Sequence, residues 1–115
     1  SAPVAARMAL GAAAASGSDI AVSVTGVAGP TGGDEVRPVG TVYLGAARGD
    51  TVYVQKLFVS RPDRALVRAR AAQAALALAL RLAQGKVPAH TKPLAASEQH
   101  SAAALDALNE AFLAE

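Results

Sequence analysis

The 115-residue sequence contains no cysteine and no tryptophan, and aromatic residues make up only 3% of it. Without cysteine, the chain can have no disulfide framework, no thiol nucleophile and no cysteine zinc site. Charge is also scarce, at 17% of residues with a net charge of +2. Weak charge without an aromatic stacking platform argues against nucleic-acid binding. No stretch resembles a secretory or membrane segment, so we expect a cytoplasmic protein without membrane association.

Hydrophobic residues are abundant, at 52% of the chain, which is ample for the core of one domain. With so few aromatics, that core must be built from alanine, valine and leucine. Small side chains let helices pack closely but fill space poorly without neighbouring elements. We therefore expect a partner, either in a homo-oligomer or as a second chain.

The most informative stretch is the glycine-rich segment 25–33, T-G-V-A-G-P-T-G-G, which lies between two apolar runs. Glycines permit positive φ and let backbone N–H groups approach a ligand closely. The segment is typical of a loop that binds a polar or anionic ligand, but also of a wide turn between strands. It is not a nucleoside-triphosphate loop, because Asp34 follows where lysine is required, and its glycine spacing is not that of the dinucleotide motif.

The first half of the chain predicts a helix, a strand and a hairpin. Ser1 as a cap, Pro3 in the first turn and Gly17 at the end indicate the helix. Alternating apolar residues over 19–25 predict a strand whose two faces are both buried. The runs 40–46 and 51–59, separated by the segment 47–50, then predict a β-hairpin.

The second half predicts two more helices and a linker. Ser60 as a cap, Pro62 in the first turn and Gly85 at the end bound a long helix. The segment 86–96 contains two prolines and is predicted to be a linker. Ser97 is predicted to cap an amphipathic tail helix within 97–115, whose apolar stripe is formed by Leu105, Leu108 and Phe112.

Few residues are candidates for chemistry. Arg64 falls in the first turn of the long helix, off its polar stripe, where the helix dipole disfavours a cation. It either pairs with an acid, such as Asp63 or Asp34, or helps to hold an anionic ligand. His90 and His100 are predicted to be surface residues, so we expect no metal site. No lysine, histidine or second serine is near Ser23 and Thr25 of the first strand in sequence, and we assign no catalytic residue.

Four segments within residues 5–68 resemble the CinA C-terminal domain family: A-x-x-M-A-x-G-A, D-I-A-V-S-V-T-G-V-A-G-P-T-G-G, R-P-V-G-T-V-Y-L-G and D-R-A-L-V-R. The resemblance covers residues 1–85. It implies an α/β fold with three layers, α/β/α, and a central mixed sheet, of which this chain is the C-terminal part. It also implies hydrolysis of the carboxamide of nicotinamide mononucleotide, without a metal or cofactor, by a protein that usually dimerises.

The resemblance also implies residue roles. The residues expected to bind the nucleotide are Thr25, Gly26, Gly29, Gly32, Gly33 and Arg64. The serine nucleophile of the family and its tyrosine and lysine partners belong to an earlier segment that nothing here matches, and the tail beyond Lys86 has no family counterpart. This chain is therefore expected to be part of a nicotinamide-nucleotide amidohydrolase whose other half lies elsewhere. The alternative is a non-catalytic nucleotide-binding or assembly module.

Overall fold

The computed structural model describes residues 1–26, 40–60 and 63–115. These residues form a four-stranded sheet, three α-helices and one short 3-10 turn, Ala96–Glu98. The helices and strands, in chain order, are α1 (Ala2–Ser16), β1 (Ile20–Gly26), β2 (Thr41–Arg48), β3 (Thr51–Phe58), α2 (Arg64–Ala83), β4 (Lys92–Ala95) and α3 (Ala102–Leu113).

Helix α1 begins and ends at the predicted residues. The Val4 N–H donates to Ser1 Oγ at 3.3 Å, and Pro3 occupies the first turn, where its missing N–H costs nothing. Gly17 ends the helix with φ 69°, a left-handed conformation that glycine adopts without steric strain. The predicted start of the helix at Ser1 and its predicted end at Gly17 are both confirmed.

The sheet has the order β1-β2-β3-β4, and every pairing among these strands is antiparallel. The two-residue turn Gly49-Asp50 joins β2 to β3, which confirms the hairpin with a shorter turn than predicted. Gly49 has φ 62°, as a tight hairpin turn requires. The α/β class is confirmed, but the mixed character expected of the sheet is absent from the described strands. After α2, the segment 84–91 leads the chain back along the sheet before β4 begins. β4 therefore runs antiparallel to β3.

Helices cover both faces of the sheet, which confirms the three-layer α/β/α architecture. Helices α1 and α3 pack on one face, where the largest fully buried side chains are Tyr43 and Phe112. Helix α2 packs on the other face, against valine, leucine and alanine side chains of β1 and β2. Alternation of side chains along β2 supplies both cores, because its residues 41–47 are all buried.

Helix α2 starts later than predicted. Its N-cap is Asp63, whose Oδ1 accepts from the Leu66 N–H at 2.8 Å, so the prediction that Ser60 caps the helix is wrong. The carboxylate of Asp63 satisfies the same open N–H groups and also complements the helix dipole. The end at Gly85 is confirmed, because Gly85 has φ 74° and Lys86 N–H bonds back to the Arg81 carbonyl. None of the helices in the described ranges is long and apolar enough to cross a membrane.

The tail is more ordered than a linker followed by a helix. The range 86–96 contains β4, which pairs with the outer edge of β3. Its four residues include Pro93, which hid the strand from sequence patterns, although proline is tolerated at a sheet edge. Helix α3 is capped by Ser101 and not by Ser97. Its predicted apolar stripe is confirmed, with Leu108 and Phe112 buried and Leu105 partly buried.

Candidate functional site at one end of the sheet

The predicted loop is attached to one end of the sheet. Gly26 at the end of β1 lies opposite Val42, and Thr41 at the start of β2 lies opposite Phe58 at the end of β3. The chain therefore leaves the sheet after Gly26 and returns to the same end before Thr41. We call this the Gly26 end; the opposite one, which carries the turn Gly49-Asp50, is the hairpin end.

The orientation of α2 places Arg64 at the Gly26 end. The Arg48 guanidinium donates a hydrogen bond to the Leu82 carbonyl, which holds the last turn of α2 at the hairpin end. A helix of 20 residues is about 30 Å long, enough to cross the whole sheet. The first turn of α2 therefore lies at the Gly26 end, where the chain leaves β1.

Arg64 itself is exposed and forms no ion pair or hydrogen bond with any residue in the described ranges. Asp63, one of its two predicted acidic partners, instead uses its carboxylate to cap α2. The other predicted partner, Asp34, lies outside the described residues. Arg64 therefore does not pair with Asp63, which was one of the alternatives left open by the sequence.

Thr25 and Gly26 end β1 at this site, but the structure also gives Gly26 a packing role. A Cβ on Gly26 would lie 2.5 Å from the Thr41 carbonyl oxygen and 2.8 Å from Val42 Cα, both backbone atoms. Thr25 is partly buried and lies directly opposite Tyr43. The three remaining glycines that were predicted to bind substrate lie outside the described residues: Gly29, Gly32 and Gly33.

Two buried hydroxyl groups near this end were not singled out by the sequence. Thr41 Oγ1 and Tyr43 Oη have no hydrogen-bond partner among the described residues. Both side chains are 1% exposed. The pattern of the segment T-V-Y-L is that of an ordinary strand, so no sequence signal distinguishes these hydroxyls from exposed ones. A buried hydroxyl without a hydrogen bond costs about 1–3 kcal/mol.

The hairpin end holds a cavity that is separate from the predicted site. Its volume is about 930 Å³, and residues that line it include Asp19, Arg48 and Gln99. His90 and His100 are exposed, as predicted, and neither is among the residues that line this cavity. Across ranges 1–26, 40–60 and 63–115, no group of three or more histidine, aspartate and glutamate side chains is arranged to hold a metal ion.

The comparison with protein families matches residues 1–83 to the family described as CinA C-terminal domain. The chain belongs to this family. Among relatives, the Nicotinamide-nucleotide amidohydrolase PncC of Enterobacter agglomerans is 47% identical over 75 residues, which are 65% of this chain and 46% of that protein. A CinA-like protein of a Mycobacterium species is 44% identical over 82 residues, which are 71% of this chain and 20% of that protein.

Solved CinA structures contain the same unit. A CinA superfamily protein from Escherichia coli is 35% identical with a TM-score of 0.65, over 71% of this chain and 47% of that one. The competence/damage inducible protein CihA from Agrobacterium tumefaciens is 34% identical with a TM-score of 0.61, over 75% of this chain and 52% of that one. The chain therefore spans about half the length of these solved CinA proteins and less than half that of the two curated relatives.

Proposed function

We propose that this chain supplies the substrate-binding end of a nicotinamide mononucleotide amidohydrolase, with Thr25, the glycines of the segment 26–33 and Arg64 around the nucleotide. The observation that carries the proposal is the convergence of three features at the Gly26 end of the sheet: the last residues of β1, the attachment of the glycine-rich segment and the first turn of α2. The amidohydrolase name of the Enterobacter relative supports the reaction class.

The chemistry of the Gly26 end suits a phosphate-bearing ligand. The first turn of a helix presents unpaired N–H groups and the positive end of the helix dipole. Arg64 in that turn is exposed and has no partner among the described residues, so its planar guanidinium is available for two parallel hydrogen bonds to phosphate oxygens. Asp63 occupies only one N–H of the turn, that of Leu66.

The test is titration calorimetry of nicotinamide mononucleotide and its phosphate-free riboside with the wild-type protein and the variant Arg64→Lys. Lysine keeps the charge but loses the two-donor fork, so we expect about tenfold weaker binding of the mononucleotide and little change for the riboside. Arg70→Lys is the matched control, since Arg70 is also exposed but lies on another side of α2. Equal loss for both ligands, or none for either, would show that Arg64 makes no phosphate contact.

A non-catalytic nucleotide-binding or assembly module is the second candidate. It is favoured by the outer surface of α2, where Leu76 is 73% exposed and Leu80 is 58% exposed. Apolar side chains one turn apart on a helix surface are typical of a contact with another protein. Binding of the mononucleotide without release of ammonia, in a protein that contains the whole CinA domain, would support this candidate over the enzyme.

A further inference from the structure

The outer surface of α2 carries two exposed leucines between positive charges. Leu76 is 73% exposed and Leu80 is 58% exposed. They lie four residues apart, so their side chains form one ridge along the helix surface. At about 100° per residue, Arg68 and Arg81 fall on opposite flanks of this ridge, and both are exposed. We call these four residues the basic ridge.

The outer surface of α3 is complementary to this ridge in shape and charge. Its exposed alanines recur every four residues and leave a shallow groove along the helix: Ala103, Ala107 and Ala111. Asp106 and Glu110 lie along one side of the groove, and both are exposed. They are also four residues apart, the spacing of the two leucines. We call these five residues the acidic groove.

The charges of both surfaces are unpaired within ranges 1–26, 40–60 and 63–115. Neither Arg68 nor Arg81 forms an ion pair or a side-chain hydrogen bond with any residue there. The same is true of the carboxylates of Asp106 and Glu110. Exposed charges attract each other over about 10 Å at ordinary ionic strength. Each surface therefore carries the charge that the other lacks.

The two surfaces lie on opposite sides of the molecule. Helix α2 covers one face of the sheet, and α3 covers the other face together with α1. The buried residues of the two helices face the sheet: Val67, Ala71, Leu78 and Leu82 in α2, and Leu108 and Phe112 in α3. The basic ridge and the acidic groove accordingly point away from the sheet in opposite directions. They can meet only between two copies of the chain.

We propose that the basic ridge of one copy docks into the acidic groove of a second copy. The leucines enter the row of alanines, as ridges enter grooves in packed helices. Because an arginine lies on each flank of the ridge, one of them meets the two carboxylates whichever way the second helix runs. A second copy is the occupant for which the chain itself supplies matching charge and shape.

Such a contact is head-to-tail. Each docked pair keeps one free ridge and one free groove, so association continues beyond two copies unless a ring closes. The contact also uses a surface outside the family match, because α3 begins at Ala102 and the match ends at residue 83. This inference goes beyond the proposed function, since no nucleotide takes part in it.

The test is sedimentation equilibrium of the 115-residue protein and two charge-reversed variants. Helices of 12 and 20 residues bury a small interface, so we expect a dissociation constant on the order of 10–100 µM for the wild type. The ridge variant combines Arg68→Glu with Arg81→Glu. The groove variant combines Asp106→Lys with Glu110→Lys. Each variant alone brings like charges together, and its self-association should weaken at least about tenfold.

A mixture of the two variants separates this contact from others. The reversed ridge of one variant matches the reversed groove of the other, and their unchanged surfaces also match. A 1:1 mixture should therefore associate within about threefold of the wild type. Lys86→Glu is the control, since Lys86 is exposed beyond the end of α2 and outside both surfaces, and it should associate like the wild type. Circular dichroism should show the same helix content throughout, because every changed residue is exposed.

Several results would overturn the proposal. A wild-type protein that stays monomeric up to about 1 mM would show that a different molecule covers these surfaces. Wild-type strength in the groove variant alone would mean that α2 packs against α2 of the second copy. Association that persists in both variants alone would place the contact elsewhere. A mixture that associates no better than its components would show that the two surfaces do not recognise each other.

Discussion

Gly45 lies in the middle of β2, where α1 crosses the sheet. A Cβ there would come within 2.4 Å of the Ala5 carbonyl oxygen and 2.7 Å of Ser23 Oγ. The absence of a side chain lets the Ser23 hydroxyl reach that same carbonyl. The helix approaches so closely because its inner face consists mainly of fully buried alanines: Ala2, Ala5, Ala6 and Ala9. Close packing of α1 thus accounts for these four alanines within one chain.

Gly45→Ala should therefore destabilise the protein. The nearest atoms to the new methyl group include backbone, so the helix must shift or the strand must bend, at a cost of about 1–3 kcal/mol or more. Gly11→Ala is the control: Gly11 lies within α1 with nothing within 4 Å of the position of a Cβ, so alanine should stabilise by about 0.5–1 kcal/mol. Urea unfolding measures both. Equal stability of the two variants would contradict the close approach of α1.

At the scale of elements, the C-terminal tail closes one side of the domain. The Phe112 ring of α3 meets the Tyr43 ring edge-on, with centroids 5.7 Å apart. Lys92 of β4 lies 5.3 Å from the Phe112 centroid and forms a 2.9 Å salt bridge with Glu115. These contacts join α3 to β4 and to Tyr43 of the sheet, although the family match ends at residue 83. The tail is part of the core and not an appendage.

Truncation of the tail aromatic should unfold this side of the domain. Phe112 is 1% exposed, and we expect Phe112→Ala to lower the free energy of unfolding by about 3–5 kcal/mol. Leu76→Ala serves as the control, because Leu76 is 73% exposed and its loss should change stability by less than about 0.5 kcal/mol. Thermal unfolding followed by circular dichroism separates the two. An unchanged melting temperature in Phe112→Ala would mean that α3 is not docked in solution.

At the scale of the whole molecule, local signals predicted most of the fold. Caps, helix-ending glycines and alternating apolar residues act within one element, so Ser1, Gly17 and Gly85 marked helix ends correctly. β4 was missed because four residues with a proline carry no period, and its pairing with β3 is a long-range choice. The position of Arg64 at the same end of the sheet as the end of β1 also depends on tertiary packing. It follows from the hydrogen bond between Arg48 and the Leu82 carbonyl in the last turn of α2.

The last prediction concerns catalysis by the molecule as a whole. We expect the 115-residue protein to release no ammonia from nicotinamide mononucleotide, because the resemblance to the family assigns the serine nucleophile and its tyrosine and lysine partners to a segment that nothing in this sequence matches. Ser23 donates its hydroxyl to the Ala5 carbonyl, and His90 and His100 are both exposed. An enzyme-coupled ammonia assay, with the Enterobacter relative as positive control, measures this. Turnover by the 115-residue protein would mean that its own residues carry the reaction. Turnover that appears only after the rest of the CinA domain is added would show that the reaction requires groups from both parts.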